Sequence, residues 1–178
     1  LEHELDRMLA QNRQRFHYTL QNGRVRFQQE MRRLQARYRV NLWRYVARAP
    51  LLFILSAPLI YGLIVPLLLL DLAITCYQQV CFRVYGIPRV ARSSYIVLDH
   101  HHLAYLNPIE KLHCLYCGYA NGLIEYVREV SSRTEQYWCP IKHARRTPDP
   151  HPRVDRFFDY ADAEAYRQGQ EALRHRWP

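Results

Sequence analysis

Residues Ala49–Leu70 read APLLFILSAPLIYGLIVPLLLL and contain no Asp, Glu, Lys or Arg. A helix needs about 20 apolar residues to cross the hydrocarbon core of a bilayer, so this stretch predicts a membrane segment. After the single Asp71 the low charge continues to Phe82. The stretch begins too far into the chain, and is too long, for a cleaved signal peptide. Pro50, Pro58 and Pro66 interrupt it, and each removes a backbone donor. Two forms fit: a single kinked, tilted span, or a re-entrant or interfacial hairpin turning near Tyr61-Gly62. Asp71 is costly in lipid unless it is paired or sits near the interface.

The flanks are basic on both sides: Arg39, Arg44 and Arg48 before, Arg83, Arg89 and Arg92 after. Positive residues favour the cytoplasmic face. Basic flanks at both ends tilt the expectation toward the hairpin or interfacial form, with the bulk of the chain on the cytoplasmic side. Lys and Arg total 25 against 16 Asp and Glu, a net charge of +9, and only Lys111 and Lys142 are lysine. Guanidinium groups bind carboxylate, phosphate and lipid headgroups through paired hydrogen bonds. Nucleic acid is the usual partner of such charge, but the apolar segment ranks membrane lipid above it. Fourteen tyrosines, with Trp43, Trp138 and Trp177, suit a bilayer interface.

The segment divides the chain into four parts. Residues 1–48 form a basic arm in which Phe27, Met31, Leu34, Tyr38, Leu42 and Tyr45 recur at helical spacing. An earlier stripe, Leu5, Leu9, Phe16 and Leu20, stops near Asn22-Gly23. The arm is expected to be one long amphipathic helix or two, broken at Gly23, that lies on lipid, pairs with a protein partner or a second copy, or packs on its own domain. Residues 49–82 are the membrane segment. Residues 83–146 hold a strand-like run at Arg92–Leu98 and a helix opened by Asn107-Pro108, with Glu110 in its first turn. Residues 147–178 read as a polar, proline-rich linker and a short terminal helix.

The chemistry points to two segments in the third part, His113-Cys114-Leu115-Tyr116-Cys117-Gly118-Tyr119 and Trp138-Cys139-Pro140-Ile141-Lys142-His143. Three thiols and an imidazole are a suitable donor set for tetrahedral zinc, with iron as the alternative. On a helix over 108–130, Glu110, Cys114, Cys117, Asn121, Glu125 and Arg128 share one face, opposite Leu112, Leu115, Tyr116, Tyr119, Leu123, Tyr126 and Val130. Gly118 and Gly122 would let another backbone approach, and the Cys139–His143 segment is the expected visitor. Asn121, Glu125, Arg133 and Glu135 could then surround the site. Thiol–disulfide exchange and plain buried thiols remain open for these cysteines, and Cys76 and Cys81 read as bystanders.

The run CLYCGY followed by WCP resembles the paired knuckles of rubredoxins and zinc ribbons. That resemblance implies a metal-ligand role for Cys114, Cys117 and Cys139. Lys142 stands where the second knuckle carries a cysteine, which leaves His143 as the replacement ligand. The longer runs YLNPIEKLHCLYCGYANG and RTEQYWCPIKHA resemble a family of small bacterial membrane-associated proteins without an assigned activity, and imply that the two segments act as one unit.

Asp99, the run His100-His101-His102, and the pair Glu110/His113 supply further titratable groups. A di-iron bundle needs two E-x-x-H helices, and one is present. Glu110 and His102 are the weak catalytic candidates. The competing reading makes Glu110 a helix cap and the histidines a wet surface. Phosphate-loop, serine-hydrolase, zincin and dinucleotide motifs are absent from the sequence. The expectation is a mainly α-helical, membrane-anchored protein with a small Cys/His domain, in which structural zinc supports a binding or assembly role. A membrane-bound iron enzyme or redox protein is the alternative, and a zinc-containing nucleic-acid-binding module comes third.

Overall fold

The computed structural model describes residues 2–21 and 24–177. It is mainly helical: α1 (Glu2–Arg15), α2 (Gln29–Ala36), α3 (Leu42–Ala47), α4 (Leu51–Gly62), α5 (Ile64–Tyr85), α6 (Pro108–Trp138) and α7 (Ala163–Arg174), with one hairpin, β1 (Tyr18–Gln21) and β2 (Arg24–Phe27). The chain forms two compact units that are interleaved along the sequence: residues 1–62 with 97–119, and residues 63–96 with 120–178. Segments distant in sequence complete each unit.

In the first unit the expected long helical arm is broken up. Tyr18 lies opposite Phe27 in an antiparallel ladder, with their rings 5.5 Å apart. Apolar residues alternate at Tyr18, Leu20, Val25 and Phe27, and the aromatic and β-branched members of that set favour a pleated pair over a helix. The expected break at Gly23 lies outside the described residues. A second restart comes at Asn41, whose side chain accepts from the Trp43 N–H at 2.9 Å and caps α3. That cap splits the 3.6-residue stripe between α2 and α3, and Tyr38 is left largely exposed between them.

Leu51–Tyr85 is long and apolar enough to cross a membrane. Leu63, the one residue between α4 and α5, keeps a right-handed helical backbone (φ −63°, ψ −15°). Pro58 lies inside α4. Apolar side chains of α4 stand exposed, Leu51 at 69%, Leu55 at 63% and Leu59 at 78%.

The second unit begins where α5 acquires a polar inner face. Asp71 and Gln78, seven positions apart, are buried, and Phe82 follows one turn later at full burial. The Asp71 carboxylate accepts from Nε and Nη2 of Arg92, at 3.0 and 2.5 Å. Gln78 accepts from the Val90 N–H at 2.8 Å, donates to the Val90 carbonyl at 3.2 Å, and donates to the Tyr126 hydroxyl at 2.7 Å. Gly86, at φ +69°, ends α5 in the left-handed region, and Ile87 and Val90 turn into a core with Leu123, Tyr126, Val130, Phe157 and Leu173.

Helix α6 starts where the Asn-Pro pair predicts and runs past the expected end near Val130. Its glycine face is used, though by a different visitor. In the second unit a Cβ on Gly122 would stand 2.6 Å from the Tyr95 carbonyl oxygen and 2.9 Å from the Ile96 Cα. In the first, a Cβ on Gly118 would be 3.4 Å from the Val97 oxygen. The approaching backbone is residues 95–98, not 139–143. It is irregular rather than the expected strand, with a 3-10 turn at Arg92–Ser94. The expected linker also packs: Pro152–Arg156 is a 3-10 helix with Arg153 buried.

Gly122→Ala should therefore lower stability by about 2–3 kcal/mol, since its methyl meets backbone that cannot move cheaply. Gly62→Ala, with nothing within 4 Å, should be neutral or slightly stabilising. Thermal melts of the two variants in detergent, read by circular dichroism, check the contrast.

Candidate functional site

The proposed metal ligands fall into two groups. Cys114 and Cys117 lie within α6, one turn apart, in helical geometry rather than in a knuckle turn. The reason is local: the Asn107 side chain accepts from the Glu110 N–H at 3.0 Å, and the Glu110 carboxylate accepts from the Asn107 N–H at 2.8 Å. This reciprocal box starts a helix that carries straight through Gly118. Cys139 follows the end of α6, and its N–H donates to the Glu135 carbonyl at 2.8 Å. Cys114 and Cys117 belong to the first unit, Cys139 and His143 to the second. Among the described residues no group of three or more His, Cys, Asp or Glu could hold a metal ion. All five cysteines are free thiols.

The segment after Cys139 is held elsewhere. Lys142 N–H donates to the Phe158 carbonyl at 2.8 Å, Phe158 N–H donates to the Pro140 carbonyl at 2.9 Å, and the Lys142 ammonium pairs with Asp159 at 2.8 Å. His143 lines a shallow depression of about 250 Å³ with Glu135, Lys142, Arg145 and Arg146.

The two weak catalytic candidates also find places. Glu110 is committed to the capping box. His102 closes a 3-10 turn, His100–His102. Burial, then the neighbouring His101 charge, draws its pKa below the ordinary histidine value against the pull of Asp99. Glu110 thus takes its bland role as a cap, and His102 is an imidazole biased toward the neutral form.

The densest polar cluster lies in the second unit and is centred on Glu129. Its carboxylate accepts from Arg153 Nη1 and Nη2, both at 2.7 Å, and from Arg133 Nε at 2.8 Å. Arg153 Nη1 also donates to Ser132 Oγ at 2.8 Å, and Arg133 Nη1 to the Pro88 carbonyl at 2.6 Å. Burial pushes the Glu129 carboxyl up, but the hydrogen bonds and charges of Arg153 and Arg133 outweigh it and hold the pKa below the ordinary glutamate value. Nearby, His151 Nε2 meets Glu135 at 2.8 Å. Tyr95 is shifted upward, first by burial and then by the Glu129 charge. The expected shell residues Arg133 and Glu135 therefore do join polar networks, around Glu129 and His151 instead of thiolates. The Glu129–Arg133 spacing of four was readable as a helical ion pair; Arg153 carried no comparable signal.

A different concavity lies in the first unit. Helix α3, the start of α4 and the first turns of α6 enclose an apolar groove of about 670 Å³. Tyr61 stacks on His113, with centroids 5.8 Å apart, and meets Tyr116 edge-on at 5.9 Å. The groove is lined by aliphatic and aromatic side chains, with Arg44 and Arg48 as its permanent charges. Periodicity in the arm did not reveal it, because a groove needs α6 beside α3 and α4.

No family model, curated protein or solved structure matches the chain.

Two outcomes follow. Cys117→Ser should melt within about 1 kcal/mol of the wild type, as an exposed substitution does. Glu129 supplies a pH test. A carboxyl held low when folded stabilises above its unfolded pKa, and that contribution is lost as pH falls through the folded value. Wild-type melting temperature should drop as pH falls from the ordinary glutamate range. Glu129→Gln should cost about 3 kcal/mol at neutral pH and flatten that acid limb. Melts in detergent from neutral to acidic pH measure both.

Proposed function

We propose that the protein is a membrane-anchored helical binding or assembly protein. The observation that carries this reading is the coat of exposed apolar side chains around α4 and the first turns of α5, including Phe53, Leu59, Val65 and Leu69. A contiguous apolar surface larger than a few hundred Å² is uncommon on a protein in water, whereas in a bilayer it faces a matching solvent. Residues 51–70 rise about 30 Å as a helix, the thickness of the hydrocarbon core. The next residue is Asp71, paired with Arg92, as suits a charge at the interface. Arginines on both sides of the segment suit anionic lipid. A basic arm and a second unit rich in side-chain hydrogen bonds leave surfaces for a partner on the cytoplasmic side.

Alkaline carbonate extraction of cell membranes tests the anchor. The full chain should stay in the membrane pellet, and Leu55→Arg/Leu59→Arg should release it, since each arginine near a helix centre costs about 2.5–3.5 kcal/mol of insertion. A wild-type chain that is monodisperse in buffer without detergent would defeat the reading.

A further inference from the structure

We infer that the groove between α3, α4 and α6 is a binding site for one anionic phospholipid, with an acyl chain in the groove and the phosphate on Arg44 and Arg48. This rests on the membrane anchor proposed above and adds the identity of a bound molecule. Arg44 and Arg48 are four positions apart, on one side of a helical turn, and both are exposed. Among the described residues no carboxylate lines the groove. Among the described residues neither arginine takes part in an ion pair. Two guanidinium groups on one side suit a phosphate, which accepts paired hydrogen bonds from them.

Ala49 and Pro50, where the uncharged stretch begins, are part of the lining, and Phe53 and Ala57 continue it along α4. The groove thus opens where the chain passes from its basic flank to its apolar helix. A headgroup on Arg44 and Arg48 would sit at the interface while its hydrocarbon follows Phe53, Ala57 and Leu112. The volume lies within the range of small-ligand sites, roughly 300–1,000 Å³. A peptide or a second copy would bring backbone donors and acceptors, and this largely apolar lining offers few groups to satisfy them.

The test uses the full chain purified in a non-ionic detergent and exposed to equal amounts of phosphatidylglycerol and phosphatidylcholine with identical acyl chains. Lipid retained on the protein is counted by native mass spectrometry. The expected result is one phosphatidylglycerol per chain, in preference to phosphatidylcholine. Arg44→Gln/Arg48→Gln, at exposed positions, should lower phosphatidylglycerol retention about tenfold. Ala57→Trp should displace the lipid with both arginines intact, its folding checked by circular dichroism. Equal retention of the two lipids, an unaffected double variant, or a dimer that lipid does not displace would overturn the site. Carbonate extraction separates the two failures. A chain that stays in the pellet but shows no lipid preference loses this site alone, and a chain that is extracted loses the anchor itself.

Discussion

Arg92 closes on Asp71 with two hydrogen bonds, and that closure ties the segment after α5 back onto the helix. Asp71 is the one charge between Ala49 and Phe82. Left alone, a charge there would be costly in lipid. Paired, it fixes where the uncharged stretch stops and where a helix with a polar inner face begins. Gln78, two turns on, repeats the device with neutral groups: one side chain satisfies both backbone atoms of Val90 and the Tyr126 hydroxyl. Residues 90–92 are thereby held against α5, and the following residues are set on course to pass over the glycine face of α6.

The second unit is organised by polar side chains to an unusual degree. Its core includes Gln78, Ser132, Gln136 and Arg153 beside its hydrophobic members. Gln136 donates to the Leu173 and Arg176 carbonyls, both at 3.0 Å, and so covers the end of α7 from another helix. Arg174 donates to the Tyr137 carbonyl at 2.9 Å and lies over the Tyr137 ring. Such contacts are directional, so they select one arrangement of α6, α7 and the 152–156 turn where oil alone would tolerate several. The first unit contrasts with this: its concave surfaces are aromatic and aliphatic, and its arginines stay at the edge.

Much of this was written in the residues, and the parts that were not have physical reasons. The apolar segment, the start of α6 at Asn107-Pro108 and a terminal helix with Tyr166 and Leu173 on it follow from composition, capping chemistry and periodicity. The hairpin was overlooked because Phe16, Leu20 and Phe27 also fit a helical stripe. The alternation at Tyr18, Leu20, Val25 and Phe27 around an Asn-Gly pair was the better signal. The helical setting of Cys114 and Cys117 follows from the reciprocal Asn107–Glu110 box, which outweighs the turn preference of Gly118. Arg153 was unreadable because its partners, Glu129 and Ser132, are more than twenty positions earlier.

The interleaving of the two units has a consequence in time. The chain passes between them at residues 62/63, 96/97 and 119/120, so neither is finished when its first segment leaves the ribosome. At about 5–20 residues per second, Asp71 exists for about one to four seconds before Arg92 is made. Glu129 waits a comparable interval for Arg153. During synthesis Asp71 therefore stands without Arg92, and Glu129 without Arg153, for an interval that the finished protein does not show.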